Sequence, residues 1–178
     1  MATATLKIGS QAPEFNLRAT DGKNYSLDSF PDMKGLVVVF SCNHCPYVRA
    51  YEDRLIRIQK DYEGRIQIAA INSNDDENYP DDSFEKMAER AKERGFNFLY
   101  LRDETQQIAK LYGATHTPEI FLFDSGRKLV FHGKIDDNWQ EPQNVKISYL
   151  RNAIDVILNG TPVSVPETFA IGCTIKWK

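Results

Sequence analysis

The sequence predicts an α/β domain built around a buried β-sheet, on three observations. Leu36-Val37-Val38-Val39-Phe40 is an apolar, mostly β-branched run with no polar interruption, which suits a strand covered on both faces in a parallel sheet. Further runs of this kind alternate with stripes of helical spacing, a βαβα rhythm. Finally, 42% hydrophobic and 26% charged residues over 178 positions are ordinary globular values. A chain of this length buries about two-thirds of its unfolded surface. With no repeat, low-complexity tract or long Gly/Ser/Pro linker to divide it, residues 1–178 are expected to form one domain.

The elements follow in order. Turn signals at Gly9-Ser10, Ala12-Pro13 and Asp21-Gly22 separate short apolar patches at Phe15-Asn16-Leu17 and Tyr25-Ser26-Leu27, which read as a small N-terminal hairpin. The strand after Gly35 leads directly to Cys42 and Cys45. Beyond them Val48, Tyr51, Leu55, Ile58 and Tyr62 form the stripe of an amphipathic helix. Arg65 to Asn72 reads as a second buried strand. Asp82 with Glu85 makes a capping-box pattern before Phe84, Met87, Ala88 and Ala91, and Gly95 ends that helix. Phe96, Phe98 and Tyr100 alternate as a strand, and Asp103 can cap a short helix carrying Ile108, Leu111 and Tyr112 up to Gly113. Ile120-Phe121-Leu122-Phe123 and Leu129-Val130-Phe131, joined through Asp124-Ser125-Gly126, form a hairpin. Ile147, Leu150, Ile154 and Leu158 mark a last helix ending at Gly160, before a tail with Pro162, Pro166 and Cys173.

Composition removes several classes of function. A formal net charge of -3, a pI near 5.7 and the lack of a basic cluster interleaved with aromatics argue against nucleic acid as a partner. No stretch approaches the roughly 20 apolar residues that cross a bilayer. Met1 to Thr5 lacks a basic region followed by an apolar one, so no membrane association and a cytoplasmic location are expected. Three cysteines are too few and too odd in number for a disulfide-stapled secreted scaffold, and in a reducing compartment a close pair points to catalysis or metal binding.

A Cys-x-x-Cys between a buried strand and a helix has a physical use. Unpaired N–H groups and the helix dipole stabilise a thiolate there, and the second sulfur can reach the first to resolve a mixed disulfide. The segment Phe40-Ser41-Cys42-Asn43-His44-Cys45-Pro46-Tyr47-Val48, together with Thr117-Pro118 and the stretch Gly9 to Leu17, resembles the peroxiredoxin-like branch of the thioredoxin-like superfamily, the alkyl hydroperoxide reductase/thiol-specific antioxidant type. This resemblance covers nearly the whole chain. It implies a thioredoxin-like fold with a central mixed β-sheet flanked by helices and the hairpin as an N-terminal extension. It also implies a cis Thr117-Pro118 bond facing the cysteines.

That branch holds two chemistries, dithiol exchange and attack on hydroperoxides. Peroxiredoxins of this resemblance carry a Pro seven residues and a Thr or Ser three residues before the peroxidatic Cys. Counting back from Cys45 gives Val38 and Cys42, and from Cys42 gives Gly35 and Val39, so neither cysteine has the cradle. Dithiol exchange is therefore the expected activity, with protein or small-molecule disulfides and a thiol reductant as partners and no cofactor. An antioxidant peroxidase using Cys45 is the alternative, because Cys45-Pro46 matches the peroxiredoxin Cys-Pro step and Pro at the first helical position would make Cys45 the N-cap. By the thioredoxin pattern Cys42 is the exposed nucleophile and Cys45 the resolving thiol. The reverse assignment stays open.

The resemblance also nominates neighbours. His44, between the cysteines, would stabilise a thiolate, and Pro118 would face the pair. Thr117, His116 and Asn43 are expected to touch substrate. Where thioredoxins have a buried Asp six residues before the first Cys, this chain has Leu36, which leaves His116 or Glu119 as the candidate proton acceptor. A third reading is a soft-metal site of Cys42, Cys45 and His116 or His132. Asp75, Asp76, Glu77, Asp81 and Asp82 lack the spacing of a calcium loop and read as a solvated acidic loop. Cys173 reads as a small buried hydrophobe unless the tail folds back over the pair. Ile135 to Trp139 and Tyr47 are family-like without a role that spacing reveals.

Overall fold

The computed structural model describes residues 4–178; residues 1–3, part of the N-terminal segment read above, lie outside the described residues. In chain order the elements are β1 (Asn16–Ala19), β2 (Asn24–Ser26), β3 (Gly35–Ser41), α1 (Pro46–Asp61), β4 (Ile66–Asn72), α2 (Phe84–Arg94), β5 (Leu99–Arg102), α3 (Gln107–Tyr112), β6 (His116–Thr117), β7 (Glu119–Phe123), β8 (Leu129–Gly133), α4 (Tyr149–Leu158) and β9 (Cys173–Thr174). Seven strands form one mixed sheet in the order β2-β1-β5-β4-β3-β7-β8. Strands β3, β4 and β5 run parallel, and β7, β8 and the N-terminal hairpin pair antiparallel to their neighbours. The fold is thioredoxin-like.

The buried run of β3 explains why this sheet is covered twice. Leu36, Val38 and Phe40 point to one face, where they pack with Ile108, Ala109 and Tyr112 of α3 and with the N-terminal Phe15 and Phe30. Val37 and Val39 point to the other and meet Tyr51, Leu55 and Ile58 of α1, Met87 of α2, and Leu150 and Ile154 of α4. Each large apolar side chain buried in this way stabilises the fold by about 1.5–3 kcal/mol.

Three local expectations are corrected. Phe96 lies outside the strand predicted over Phe96 to Tyr100, because Gly95 adopts the left-handed conformation and the Phe96 N–H turns back to the Ala91 carbonyl, closing α2. The cap of α2 is Ser83, whose Oγ accepts the Lys86 N–H at 3.3 Å, and the capping-box carboxylate Asp82 is instead withdrawn into the protein. Leu111 and Ile147, assigned to helix stripes, are exposed, the second lying just ahead of α4. Asp103 does serve the short helix, its carboxylate accepting the N–H groups of Ile108 and Ala109.

The tail decides what the site looks like. It returns across the ends of β4 and β5, and β9 pairs antiparallel with β6, with Thr117 opposite Cys173. The Ile175 N–H bonds the Thr115 carbonyl, the Lys176 N–H bonds Asn74 Oδ1, and Gln106 Nε2 donates to the Lys176 carbonyl. Gly172 is required at the entry to β9, since a Cβ there would collide with the Thr117 carbonyl oxygen. Among the described residues no helix is long and apolar enough to cross a membrane.

Candidate active site

The turn from β3 to α1 lies at the carboxyl ends of the parallel strands, where α/β sheets present their sites. Pro46 occupies the first turn of α1 and Cys45 is the N-cap residue, extended at φ -68°, ψ 124°. Cys42, Cys45 and Val48 form a small buried cluster against which Tyr47 and Cys173 pack. All three cysteines are free thiols. The Thr117-Pro118 bond is cis. Thr117 Oγ1 lies 3.4 Å from Cys42 Sγ, and the Cys45 thiol donates to the Thr117 carbonyl at 3.3 Å.

The two sulfurs are electrostatically unequal. The Cys42 thiol donates to Cys45, and that bond, burial and the nearby Asp82 charge push Cys42 well above the ordinary thiol range. Cys45 is pulled below it, first by the Cys42 donor and then, against the opposing effect of burial, by the Cys173 thiol and the N–H groups of Val48 and Cys173. Ionising Cys45 gives up its bond to the Thr117 carbonyl. Four donors against one acceptor still favour the thiolate on Cys45. Cys42, expected as the exposed sulfur, is only 3% exposed, and Cys45 is 1% exposed, with Cys173 of the returning tail packed against their cluster.

The residues around the turn form a network that spacing did not reveal. Asp82 has no exposed surface. Its Oδ1 accepts the Asn43 backbone N–H at 2.7 Å and Asn72 Nδ2 at 3.1 Å, and its Oδ2 accepts Asn74 Nδ2 at 2.9 Å. His44 Nδ1 stands 3.0 Å from Oδ2, within ion-pair distance though not aligned as a hydrogen bond, and the His44 ring stacks on Tyr79. The acidic loop is therefore not solvated throughout: Asp75 and Asp82 are buried, because Asn72 and Asn74 at the end of β4 supply donors to Asp82 and Asn78 with the Glu77 N–H supplies them to Asp75. A fixed buried Asp thus exists beside the pair after all, on a different segment from the one inspected in the sequence. Asn, Ser and Asp crowded after a buried strand (Asn72, Ser73, Asn74, Asp75) is the signal that could have suggested it.

Asn43 turns inward. Its Oδ1 accepts the Tyr100 hydroxyl at 2.7 Å, its Nδ2 donates to the Asp81 carbonyl at 2.7 Å, and its own carbonyl accepts Arg49 Nε. These bonds fix the turn, with Asn43 almost fully buried. Glu119 is also engaged. Burial raises its pKa, yet the His132 ring at 2.7 Å and the N–H groups of Thr115 and His116 hold its carboxyl below the usual carboxylate value. His116 bonds Thr115 Oγ1 through Nδ1. His116, Glu119 and His132 line a cavity of about 390 Å³ with Glu167, Thr168 and Phe169, and no cysteine borders it. Among the described residues no three His, Cys, Asp or Glu side chains are grouped as a metal ion would need. The arrangement expected of Cys42, Cys45 and His116 or His132 is not assembled, because His132 is bound to Glu119 and His116 to Thr115.

On the far side, Tyr47 and Trp139 pack with ring centroids 4.3 Å apart. Asp136 accepts the Tyr51 hydroxyl at 2.8 Å and Arg54 Nη1 at 2.7 Å, and Arg54 also clamps the carbonyls of Asn138 and Trp139. This gives the segment from Ile135 to Trp139 a structural role: it holds an aromatic wall beside the cysteine cluster. Pro118, Trp139 and Ile171 share a shallow cleft there.

A family model described as the AhpC/TSA family matches residues 8–132. No curated protein matches the chain. An uncharacterized conserved protein from Geobacillus kaustophilus is 42% identical, with a TM-score of 0.89 over 97% of this chain and 93% of its own. A hypothetical protein from Sinorhizobium meliloti 1021 is 37% identical, with a TM-score of 0.91 over 98% of this chain and 97% of its own. The peroxidoxin BcpB from Mycobacterium tuberculosis shares the fold at 17% identity, with a TM-score of 0.67 over 86% of this chain and 97% of its own.

Proposed function

The chain belongs to the AhpC/TSA family and is a redox protein of thioredoxin-like fold, and from that premise we propose that it is a thiol–disulfide oxidoreductase cycling Cys42 and Cys45 between dithiol and disulfide. The observation that carries this reading is the opposed pair on one turn: Cys42 is held as a thiol that donates to Cys45, and Cys45 is favoured as the thiolate at the start of α1. A nucleophile and a protonated partner in contact are what a dithiol cycle needs.

In the cycle the Cys45 thiolate attacks a substrate disulfide, forming a mixed disulfide and expelling one substrate thiolate. Cys42 then loses its proton to that departing thiolate and attacks Cys45 Sγ, which closes the Cys42–Cys45 disulfide and releases the second substrate thiolate. The substrate gains two electrons and the pair loses two. An external thiol reductant restores the dithiol. Thr117 borders both sulfurs and Tyr47 with Trp139 supplies an apolar flank, so the substrate is a disulfide carried by a protein or a small molecule. His44 acts on the pair through Asp82. Three cysteines, one of them outside the pair, suit the reducing cytoplasm.

One observation favours a second reading, an antioxidant peroxidase: both sulfurs are almost fully covered, and a hydroperoxide reaches a buried thiolate more readily than a protein disulfide does. Insulin-disulfide reduction and hydroperoxide consumption, measured in parallel for the wild type, Cys42→Ser and Cys45→Ser, separate the two. Dithiol exchange predicts that insulin reduction is lost in both variants while peroxide turnover stays at background. Peroxide turnover in the wild type and Cys42→Ser, abolished in Cys45→Ser, would reverse the assignment.

A further inference from the structure

Cys45 has two sulfur neighbours. Besides Cys42 it has Cys173, which packs against the buried cluster of Cys42, Cys45 and Val48. The position is built by the fold: β9 pairs with β6 so that Cys173 stands opposite Thr117, whose carbonyl receives the Cys45 thiol, and Gly172 permits the close approach of the two segments. Further bonds from Ile175, Lys176 and Lys178 to Thr115, Asn74 and Gln106 hold the strand over the pair. Exposure differs along the row. Cys42 and Cys45 are buried, whereas Cys173 is half-buried.

We propose that Cys173 is a third redox residue, a relay that accepts the disulfide from the buried pair and presents it to an external thiol. This deepens the oxidoreductase reading and rests on it. The Cys173 thiolate attacks Cys45 Sγ of the Cys42–Cys45 disulfide; the Cys45–Cys173 bond forms, the Cys42–Cys45 bond breaks, and Cys42 leaves as a thiolate that takes up the proton lost by Cys173. No net electrons enter or leave, since one disulfide replaces another. An external thiol then attacks Cys173 Sγ, the reachable sulfur, and Cys45 departs as the thiolate that α1 and its donors favour; a low leaving-group pKa speeds this step. A second molecule of thiol reduces the resulting mixed disulfide on Cys173, which completes a two-electron reduction.

The relay accounts for the burial of Cys42 and Cys45. An external thiol meets the half-buried Cys173 on β9 more readily than either of the two buried sulfurs. Cys173 lies far from the pair in sequence and reaches it only through the tail.

The test is non-reducing peptide mapping by mass spectrometry after one equivalent of diamide, on the wild type, Cys42→Ser and Cys173→Ser, with the rate of re-reduction by glutathione followed in parallel. The wild type is expected to give both Cys42–Cys45 and Cys45–Cys173, and Cys42→Ser to give intramolecular Cys45–Cys173 as its main product. Cys173→Ser is expected to give Cys42–Cys45 alone and to be re-reduced about tenfold more slowly. A Cys42→Ser protein whose Cys45 and Cys173 stay free, or link only between molecules, overturns the relay while a normal Cys42–Cys45 bond in the wild type leaves the underlying reading intact. If the wild type forms no Cys42–Cys45 bond either, the oxidoreductase reading fails with it. Circular dichroism of each variant establishes that it is folded, and Cys42→Ala repeats the mapping without a hydroxyl at position 42.

Discussion

His44 Nδ1 stands 3.0 Å from Oδ2 of Asp82, a carboxylate with no exposed surface that also receives the backbone N–H of Asn43. One buried charge is thereby tied both to the turn carrying the cysteines and to the histidine between them. Asp82 in turn is one of the groups that raise Cys42. The relationship ties the balance of the pair to a loop well removed from it in sequence.

Opposite substitutions at these two residues are expected to move the pair in opposite directions. His44→Ala removes the polar ring 3.0 Å from Asp82, exposes Cys42 to more of the Asp82 field, disfavours the thiolate and makes the couple more reducing. Asp82→Asn removes the charge and makes it more oxidising. A shift of about 30 mV corresponds to a tenfold change in equilibrium constant and is within reach of glutathione redox titration. Shifts of the same sign, or none, would count against electrostatic coupling. Asp82→Asn also leaves a buried network with one acceptor fewer, costing about 1–3 kcal/mol, to be read from urea unfolding.

Cys45 owes its lowered pKa first to the Cys42 thiol. Cys42→Ala is therefore expected to raise the Cys45 pKa toward the ordinary value of about 8.5, while Cys42→Ser, which keeps a donor, holds it lower. Thiolate ultraviolet absorbance against pH measures both. In the wild type, reactivity of Cys45 toward a small alkylating reagent should persist at pH values below the ordinary thiol range. Labelling that falls on Cys42 instead would restore Cys42 as the nucleophile.

Glu119 is held below the ordinary carboxylate value of about 4.3, by His132 and two backbone N–H groups. A depressed folded-state pKa contributes stability that is present above the unfolded value and is lost as pH falls through the folded one. The wild type should thus lose stability below about pH 4 partly through this group. Glu119→Gln is expected to cost about 1–3 kcal/mol at neutral pH and to flatten the acid limb. Urea midpoints at neutral pH and at pH near 3 compare the two proteins; an unchanged acid limb would show that Glu119 does not contribute to it.

Gly172→Ala places a Cβ against the Thr117 carbonyl and should lift β9 from β6. The expected outcome is a loss of about 1–3 kcal/mol from steric strain, faster amide exchange in the tail, and faster alkylation of Cys42 and Cys45. Hydrogen exchange and peptide mapping read both effects. Unaltered exchange through Cys173 to Trp177 would show that the tail accommodates the methyl group without moving.

Much of this was legible in the residues. The run Leu36 to Phe40, the stripe Val48 to Tyr62 and the glycine stop at Gly95 are set by side-chain periodicity and backbone preference between near neighbours, and they appear in the structure as β3, α1 and the end of α2. The place of Cys45 at the N-cap followed from Pro46 in the same way. Asp82 was misread because its local pattern with Glu85 is that of a cap, whereas Asn72, Asn74 and the Asn43 N–H compete for the same carboxylate from other segments, and Ser83 takes over the capping.

The sequence by itself determined the alternation of strands and helices, the Cys-x-x-Cys at a strand-to-helix turn and the missing peroxidase cradle, since these depend on spacing along the chain. Only the tertiary structure decided that both sulfurs of the pair are buried, that a buried carboxylate stands behind His44, and that the tail brings Cys173 to their cluster. Those outcomes arise from desolvation and from hydrogen bonds between segments distant in the chain, and no local pattern of residue types carries the strength or the partner of such contacts.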